Sequence, residues 1–152
     1  MGLNRLDKTL RIVTGWAILL AISILIALVI CSKVQAQDYE TSVIAQVIAA
    51  EAGGEGYQGM YAVANTISNK AKLWNKTPYQ IVIQKNQYYG YTAKNRKILY
   101  LRVKLIADRL AKDIMQLIDV TKGALYFRRP DELMFKWCKI ETYRYKNHVF
   151  YK

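Results

Sequence analysis

The chain has 152 residues, 53% of them hydrophobic, and a formal net charge of +12 at pH 7, a length typical of one domain with a modest core. Its two cysteines, Cys31 and Cys138, exclude a disulfide scaffold. With His148 as the only histidine, the sequence predicts no metal site and no cofactor, and any Ser-His-Asp or Cys-His device would need that one residue.

The N-terminal region predicts an export segment. Residues 12–31 form a run of 20 uncharged, mostly aliphatic residues, which as a helix would span about 30 Å, the thickness of a bilayer core. Arg5, Lys8 and Arg11 precede this run. Basic residues stay on the cytoplasmic side, so residues 1–11 are predicted to remain in the cytoplasm.

Two interpretations of residues 12–31 are open. A cleaved signal peptide has an apolar region of about 7–15 residues followed by small residues, and Val34-Gln35-Ala36 offers a cleavage site before Gln37. The apolar run is longer than that and ends in bulky residues, which favours an uncleaved anchor in the cytoplasmic membrane. In both cases residues 32–40 are predicted to form a polar tether, and the remainder is exported to the cell envelope or secreted.

The exported part is strongly basic. From Gln37 onward, 19 basic and 10 acidic residues give a net charge of about +9. Such a surface can bind nucleic acid, anionic lipid or the anionic polymers of a cell envelope. The export segment argues against nucleic acid, which leaves the membrane and the envelope as expected partners.

The first exported helix is predicted to begin at Thr41 or Ser42, which are good N-cap residues, and to end at the Gly53-Gly54 break. Its aliphatic residues recur at three-and-four spacing, and Glu51 continues the same buried stripe. Burial and the exposed carbonyls at a helix C-terminus both raise the pKa of a carboxyl group, which favours a general acid near neutral pH. The alternative is a buried Glu satisfied by hydrogen bonds, or one turned to solvent.

Helices are predicted in the middle of the chain and strands at its end. A second helix covers about 58–72, a short element begins at Pro78, a Tyr-rich loop covers 86–93 and the longest helix covers about 96–118. The pattern then becomes β-like, with a strand at 124–127, a turn at 129–131 and one or two strands within 141–152. We therefore expect an α+β domain. The inner face of the longest helix is predicted to carry Leu99, Val103, Ile106, Leu110, Ile114 and Leu117.

Several short motifs occur in order beyond residue 41. They are Glu51-Ala52-Gly53-Gly54-Glu55, Ala62-Val63-Ala64-Asn65-Thr66-Ile67-Ser68-Asn69, Asn86-Gln87-Tyr88, Gly123-Ala124-Leu125-Tyr126-Phe127 and Asn147-His148-Val149-Phe150-Tyr151. Together they resemble the cell-wall hydrolase family that includes the spore cortex-lytic enzymes of Gram-positive bacteria. The resemblance covers about residues 41–152, essentially everything beyond the N-terminal segment.

The resemblance implies a small lysozyme-like or transglycosylase-like catalytic domain over residues 41–152, with peptidoglycan as its substrate. It implies that Glu51 protonates the oxygen between N-acetylmuramic acid (MurNAc) and N-acetylglucosamine (GlcNAc). The same group would then act as base toward the 6-hydroxyl of the muramic acid, which gives a 1,6-anhydro product. Glu55 would support the site by hydrogen bonds. The groove residues carried over are Gln87, Tyr88, Tyr126 and His148, the last of which either lines the groove or braces the final strands.

Two other functions remain open. A hydrolytic muramidase would pair Glu51 with a second carboxylate such as Glu55, since glycoside hydrolysis normally uses two carboxyl groups. A non-catalytic, membrane-anchored wall-binding protein would keep the groove without turnover, although Glu51 in the matched motif counts against it.

The chain departs from the family pattern at several positions. Ala50 and Gly56 replace a usual Gly and a common Pro, and Lys122 and Lys146 stand where Gly is frequent. None of these changes removes Glu51. The two lysines are expected to alter the glycan groove and with it the substrate preference.

Overall fold

The computed structural model describes residues 3–88, 96–132 and 140–152, with side chains from residue 14 onward except that of residue 96. Residues 89–93 of the predicted Tyr-rich loop and Cys138 lie outside these ranges. The chain divides into two compact units, Met1–Asp38 and Tyr39–Lys152.

Helix α1 covers Leu3–Ala52 and has 50 residues. The predicted N-cap at Thr41 or Ser42 is wrong, because the residues on both sides of this position are helical. Residues 32–41 contain no Gly or Pro, so nothing in their sequence interrupts a helix. The predicted tether therefore has helical backbone.

One helix in the described part of the chain is long and apolar enough to cross a membrane, judged by length and composition. It lies in the range Thr14–Glu55 and reaches a mean hydropathy of 2.7. The side chains of residues 14–38 are exposed throughout, as a lipid-facing segment requires. The segment is compatible with a membrane anchor or a signal sequence.

Three further helices follow in the second unit. Helix α2 covers Tyr57–Trp74, which confirms the predicted second helix. Helix α3 covers Pro78–Val82 and begins with a capping box, in which the Thr77 hydroxyl accepts a hydrogen bond from the backbone of Gln80 and the Gln80 side chain accepts one from the backbone of Thr77. Helix α4 covers Arg96–Lys112.

Helix α4 is shorter than the predicted helix at 96–118. It is kinked at Val103, whose φ of −127° and ψ of 21° are not helical, and a separate turn of 3-10 helix covers Ile114–Gln116. The kink breaks the three-and-four spacing on which the inner face was predicted. Ile106 is consequently 37% exposed, whereas Leu110 and Ile114 are buried as predicted.

The strands form one antiparallel sheet in the order β1-β3-β2. They cover Tyr126–Arg128 (β1), Glu141–Tyr145 (β2) and His148–Tyr151 (β3). Phe127 of β1 and Tyr143 of β2 both pair with Phe150 of the central strand. The α+β class with a small antiparallel sheet is thus confirmed, as are two strands after residue 140. The predicted turn is also present, since the Arg129 carbonyl accepts the N–H of Glu132 at 3.2 Å.

The core of the second unit joins the helices to the sheet. Ile48 of α1, Met60 and Ile67 of α2 and Phe150 of β3 are fully buried in one cluster. The Phe150 ring contacts Phe127 with ring centroids 5.7 Å apart. Burial of large apolar side chains is the dominant stabilising contribution, so this cluster fixes the sheet against α2.

The two asparagines of the α2 motif hold the turn that leads into β1. Asn65 accepts a hydrogen bond from the Val120 N–H at 3.0 Å, and Asn69 donates to the Ala124 carbonyl at 3.0 Å. Within the turn, the Asp119 carboxylate accepts the N–H groups of Thr121 and Gly123 at 2.8 and 2.6 Å. Although partial burial raises the pKa of Asp119, these hydrogen bonds outweigh it and hold the pKa below its usual value.

Candidate active site

A cleft of about 1160 Å³ opens in the second unit. The end of α1, the beginning of α4, strand β1 with the turn that follows it, and the β2–β3 connection all contribute to its walls. All of the site residues predicted from the sequence except Tyr88 line this cleft, namely Glu51, Glu55, Gln87, Tyr126 and His148.

Glu51 lies in the last turn of α1, next to the helix end at Ala52. The stripe on which it was predicted is buried, with Ile44, Val47 and Ile48 between 0% and 5% exposed. Glu51 itself is half-buried and lines the cleft. The residue is therefore at the boundary between the buried stripe and the open cleft.

Glu55 lies four residues further, in the 3-10 turn Gly53–Glu55. It is buried, at 7% exposure, and its Oε2 lies 3.0 Å from Nδ1 of His148. The distance is that of an ion pair, but the ring N–H is not aligned with the oxygen as in a regular hydrogen bond. The two side chains are therefore in direct polar contact inside the domain.

Gly59 in the first turns of α2 makes room for Glu55. A Cβ at this position would lie 2.5 Å from Cβ and 2.9 Å from Oε2 of Glu55. The turn approaches α2 through Gly56, whose φ of +80° is disfavoured for other residues. The Glu55 side chain is thereby packed directly against the α2 backbone.

His148 begins β3 and is 7% exposed. Its ring packs edge-on against Phe127, with centroids 5.0 Å apart, and against Phe150 at 6.1 Å. His148 therefore both lines the cleft and contacts the aromatic core of the sheet, which combines the two roles left open from its sequence.

Lys70 on α2 also lines the cleft, and it was not predicted from the sequence. It is 3% exposed, and its Nζ donates to Oε1 of Gln87 at 2.9 Å. The same Nζ lies 4.8 Å from the ring centre of Tyr88 and 4.7 Å from that of Tyr126, within the range of cation–π attraction. Its position on the buried stripe of α2, seven residues after Val63, is the signal that was available.

Tyr88 is buried behind the cleft wall, at 4% exposure. Its ring packs against Phe127 at 6.1 Å, and its hydroxyl lies 3.5 Å from that of Thr66. Burial is the main cause that raises the pKa of Tyr88 well above its ordinary value. The Thr66 contact opposes this shift, and the negative charge of Glu51 adds to it. The phenol is therefore neutral at physiological pH. Tyr88 does not line the cleft itself but packs against Phe127, which does.

Arg128 at the end of β1 is a second cleft residue that was not predicted. It is 8% exposed, and its guanidinium lies 5.8 Å from the ring centre of Tyr151. The turn after it, with Arg129 and Asp131, forms the rim. Both basic and acidic residues line the cleft, and among its described carboxylate residues Glu51 is the half-buried one.

Lys122 and Lys146 do not line the cleft. Both have left-handed backbone, with φ of 55° and 45°. Nζ of Lys146 donates to the Glu55 carbonyl at 2.9 Å. The glycine that is frequent at these positions in the similar family therefore matches a backbone requirement, because glycine adopts positive φ without steric cost.

Within residues 14–88, 97–132 and 140–152, no three His, Cys, Asp or Glu side chains converge as a set of metal ligands.

The second unit is similar in sequence and fold to known proteins. The profile of the cell wall hydrolase family matches residues 54–151. The fold is similar to that of the catalytic domain of the germination-specific lytic transglycosylase SleB from Bacillus anthracis, with 25% identity and a TM-score of 0.60 over 74% of this chain and 93% of that one. It is also similar to the catalytic domain of the Bacillus cereus SleB protein, with 22% identity and a TM-score of 0.56 over 74% and 89% of the two chains. A search of curated proteins found no match.

Proposed function

The chain belongs to the cell wall hydrolase family, and we propose that it cleaves the glycosidic bond between MurNAc and GlcNAc of peptidoglycan as a lytic transglycosylase. The observation that carries the proposal is a half-buried carboxyl group, Glu51, at the wall of a cleft large enough for several sugar rings. The Bacillus anthracis protein with a similar fold is itself described as a lytic transglycosylase.

Glu51 would act first as an acid and then as a base. It gives its proton to the bridging oxygen, so that the bond to the MurNAc anomeric carbon breaks. The carboxylate then takes the proton of the MurNAc 6-hydroxyl as that oxygen bonds to the same carbon, which closes the 1,6-anhydro ring. The proton returns to Glu51, no water is consumed, and a single carboxyl group serves both steps.

The environment of Glu55 supports a mechanism with one catalytic carboxyl group. Its Oε2 lies against His148 and its side chain against Gly59, which keeps it buried. A hydrolytic muramidase would need a second carboxylate about 5–9.5 Å from the first and free to act as a nucleophile or to activate water. We assign Glu55 to support of the site.

The remaining groove residues suit a glycan. Sugars present apolar ring faces and hydroxyl groups, which aromatic faces and amide groups complement. Tyr126 and Phe127 supply rings to the cleft and Gln87 supplies an amide. We propose peptidoglycan as the partner of this cleft and an extracytoplasmic location, with the N-terminal apolar helix as a membrane anchor or a signal.

The test is digestion of purified peptidoglycan by the full-length protein in detergent, followed by mass spectrometry of the fragments. We expect 1,6-anhydromuramic ends and no new reducing ends. Glu51→Gln should lower the rate by about 10²–10⁴-fold, the contribution typical of general acid–base catalysis. Glu141→Gln, at an exposed carboxylate of β2 that does not line the cleft, is the matched control and should keep the parent rate within about twofold.

Other products would contradict the proposal in distinct ways. Reducing muramic ends would favour the two-carboxylate muramidase. Free stem peptides would exclude glycosidic cleavage, and binding to peptidoglycan without release of fragments would favour a wall-binding protein. A parent-like rate for Glu51→Gln would refute the assigned role of this residue.

A further inference from the structure

The Lys70 ammonium joins three separate parts of the second unit. Lys70 itself belongs to α2, Gln87 and Tyr88 belong to the turn region after α3, and Tyr126 begins β1. Nζ donates to Gln87 at 2.9 Å and lies 4.8 and 4.7 Å from the ring centres of Tyr88 and Tyr126. A single cation therefore contacts elements that are far apart in the sequence.

A buried ammonium is costly unless polar or aromatic groups replace its hydration. At 3% exposure Lys70 has little contact with water, so these three contacts contribute to its solvation. In turn, the ammonium of Lys70 stabilises the positions of the Gln87 side chain and of the two tyrosine rings. Loss of the charge would leave the Gln87 carbonyl without this donor in a partly buried place.

Two of these partners, Gln87 and Tyr126, line the same cleft as Glu51, and the third, Tyr88, packs against Phe127 of its wall. A change at Lys70 would therefore alter side chains that line the cleft of the proposed general acid.

We propose that Lys70 is a positioning residue for glycan cleavage. Its ammonium holds Gln87, Tyr88 and Tyr126 in the arrangement that binds the glycan beside Glu51. The proposal rests on the proposed function of this cleft. It assigns Lys70 no proton transfer, and its effect is on substrate binding more than on the chemical step.

Three variants of the full-length protein test the role. Lys70→Met keeps the apolar stem and removes the charge. Lys70→Arg keeps a charge that can donate to Gln87 and stack on aromatic rings. Lys72→Met is the matched control, since Lys72 is an exposed lysine on the same helix.

We expect Lys70→Met to raise KM and lower kcat/KM by about tenfold to a hundredfold, the effect of losing a charge-assisted hydrogen bond. Lys70→Arg should recover most of this loss, and Lys72→Met should match the parent. Binding of soluble glycan fragments, measured in the Glu51→Gln background by calorimetry, should weaken by the same factor in Lys70→Met. The Gln87→Ala change should add little further loss to Lys70→Met, because the two changes remove the same contact.

A Lys70→Met protein with parent-like KM and parent-like fragment binding would overturn the proposal. The proposal would also be overturned if Lys70→Met and Lys70→Arg lost the same amount of activity and binding and both had a lowered melting temperature. That result would mean that Lys70 has a structural role alone. If Lys70→Met does not fold, Lys70→Gln, which also removes the charge but keeps a polar end, takes its place, and parent-like fragment binding by a folded Lys70→Gln protein would contradict the proposal. Binding is measured without turnover, so failure of the Glu51 mechanism would be seen separately.

Discussion

Because Gly59 lies directly against Glu55, the single methyl group added by Gly59→Ala should disturb the site. In Gly59→Ala, the added Cβ would lie 2.5 Å from Cβ of Glu55, whereas ordinary van der Waals contact begins at 3.4 Å. The obstructing atom is the first carbon of the Glu55 side chain, which cannot swing away as a flexible end would. Either the turn Gly53–Glu55 or the beginning of α2 must therefore move by about 1 Å.

Two opposing effects determine the change in stability. Alanine favours an α-helix over glycine by about 1 kcal/mol, whereas overpacking a filled site costs about 1–3 kcal/mol. We expect a net loss of about 0–2 kcal/mol, so the melting temperature of Gly59→Ala should fall by no more than about 10 °C. Activity should be more sensitive, because a displacement of about 1 Å near reacting groups can cost about 10²-fold.

The assay compares thermal unfolding and peptidoglycan digestion in Gly59→Ala and Gly54→Ala. Gly54 lies in the neighbouring 3-10 turn, and a Cβ there would meet nothing within 4 Å. Gly54→Ala should keep the parent melting temperature within about 2 °C. A Gly59→Ala protein more stable than the parent and fully active would refute the reasoning, since the helix preference would then have acted without a clash.

Three further predictions follow from the turns and from the N-terminal segment. The low pKa of Asp119 means that its stabilising effect is present above the unfolded pKa of about 3.9 and is lost as the pH falls through the lower folded value. Asp119→Asn should therefore lower the melting temperature at pH 7, and the difference from the parent should shrink below about pH 4. Lys122→Gly should change stability by less than about 1 kcal/mol, whereas Gly123→Ala, at φ +83°, should destabilise by about 1–2 kcal/mol, as chemical denaturation would measure. Protease added outside spheroplasts should degrade residues 39–152 and spare residues 1–11. Protection of the larger part would contradict the topology, and a soluble form beginning at Gln37 would favour signal cleavage.

Much of the fold was predictable because it rests on local patterns. The stripe of α2 reflects one buried face, and the structure has a helix there and two strands within residues 141–152. All four residues of β3 are buried, as expected of the central strand of the sheet. The failures are also local in cause. A polar N-cap residue such as Thr41 begins a helix only where the backbone before it is not helical, and the residues before Thr41 are helical. The kink at Val103 has no Gly or Pro to signal it.

The site was predictable only in part, because burial of charge depends on distant residues. The place of Glu51 at the edge of the core was predicted from an apolar stripe, and its catalytic role stays a prediction. Lys70 occupies an equivalent place on α2, but a lysine on such a stripe is usually assumed to reach solvent. It is buried here because the rings of Tyr88 and Tyr126 arrive from later parts of the chain. Arg128 was missed for the same reason, since Tyr151 meets it only across the sheet.

The two glutamates of the motif illustrate how a backbone break gives identical side chains different environments. Four residues apart in one continuous helix, Glu51 and Glu55 would lie on the same face. Instead α1 ends at Ala52, and the 3-10 turn after it carries Glu55 toward α2. Glu51 stays at the cleft, half-buried, and Glu55 is buried against His148.

The surroundings of a carboxyl group determine whether it keeps or exchanges its proton. The proposed roles of Glu51 and Glu55 therefore depend on the turn that interrupts the motif. Gly59 is the residue on which this separation depends, since a side chain there would displace Glu55 from its position against α2.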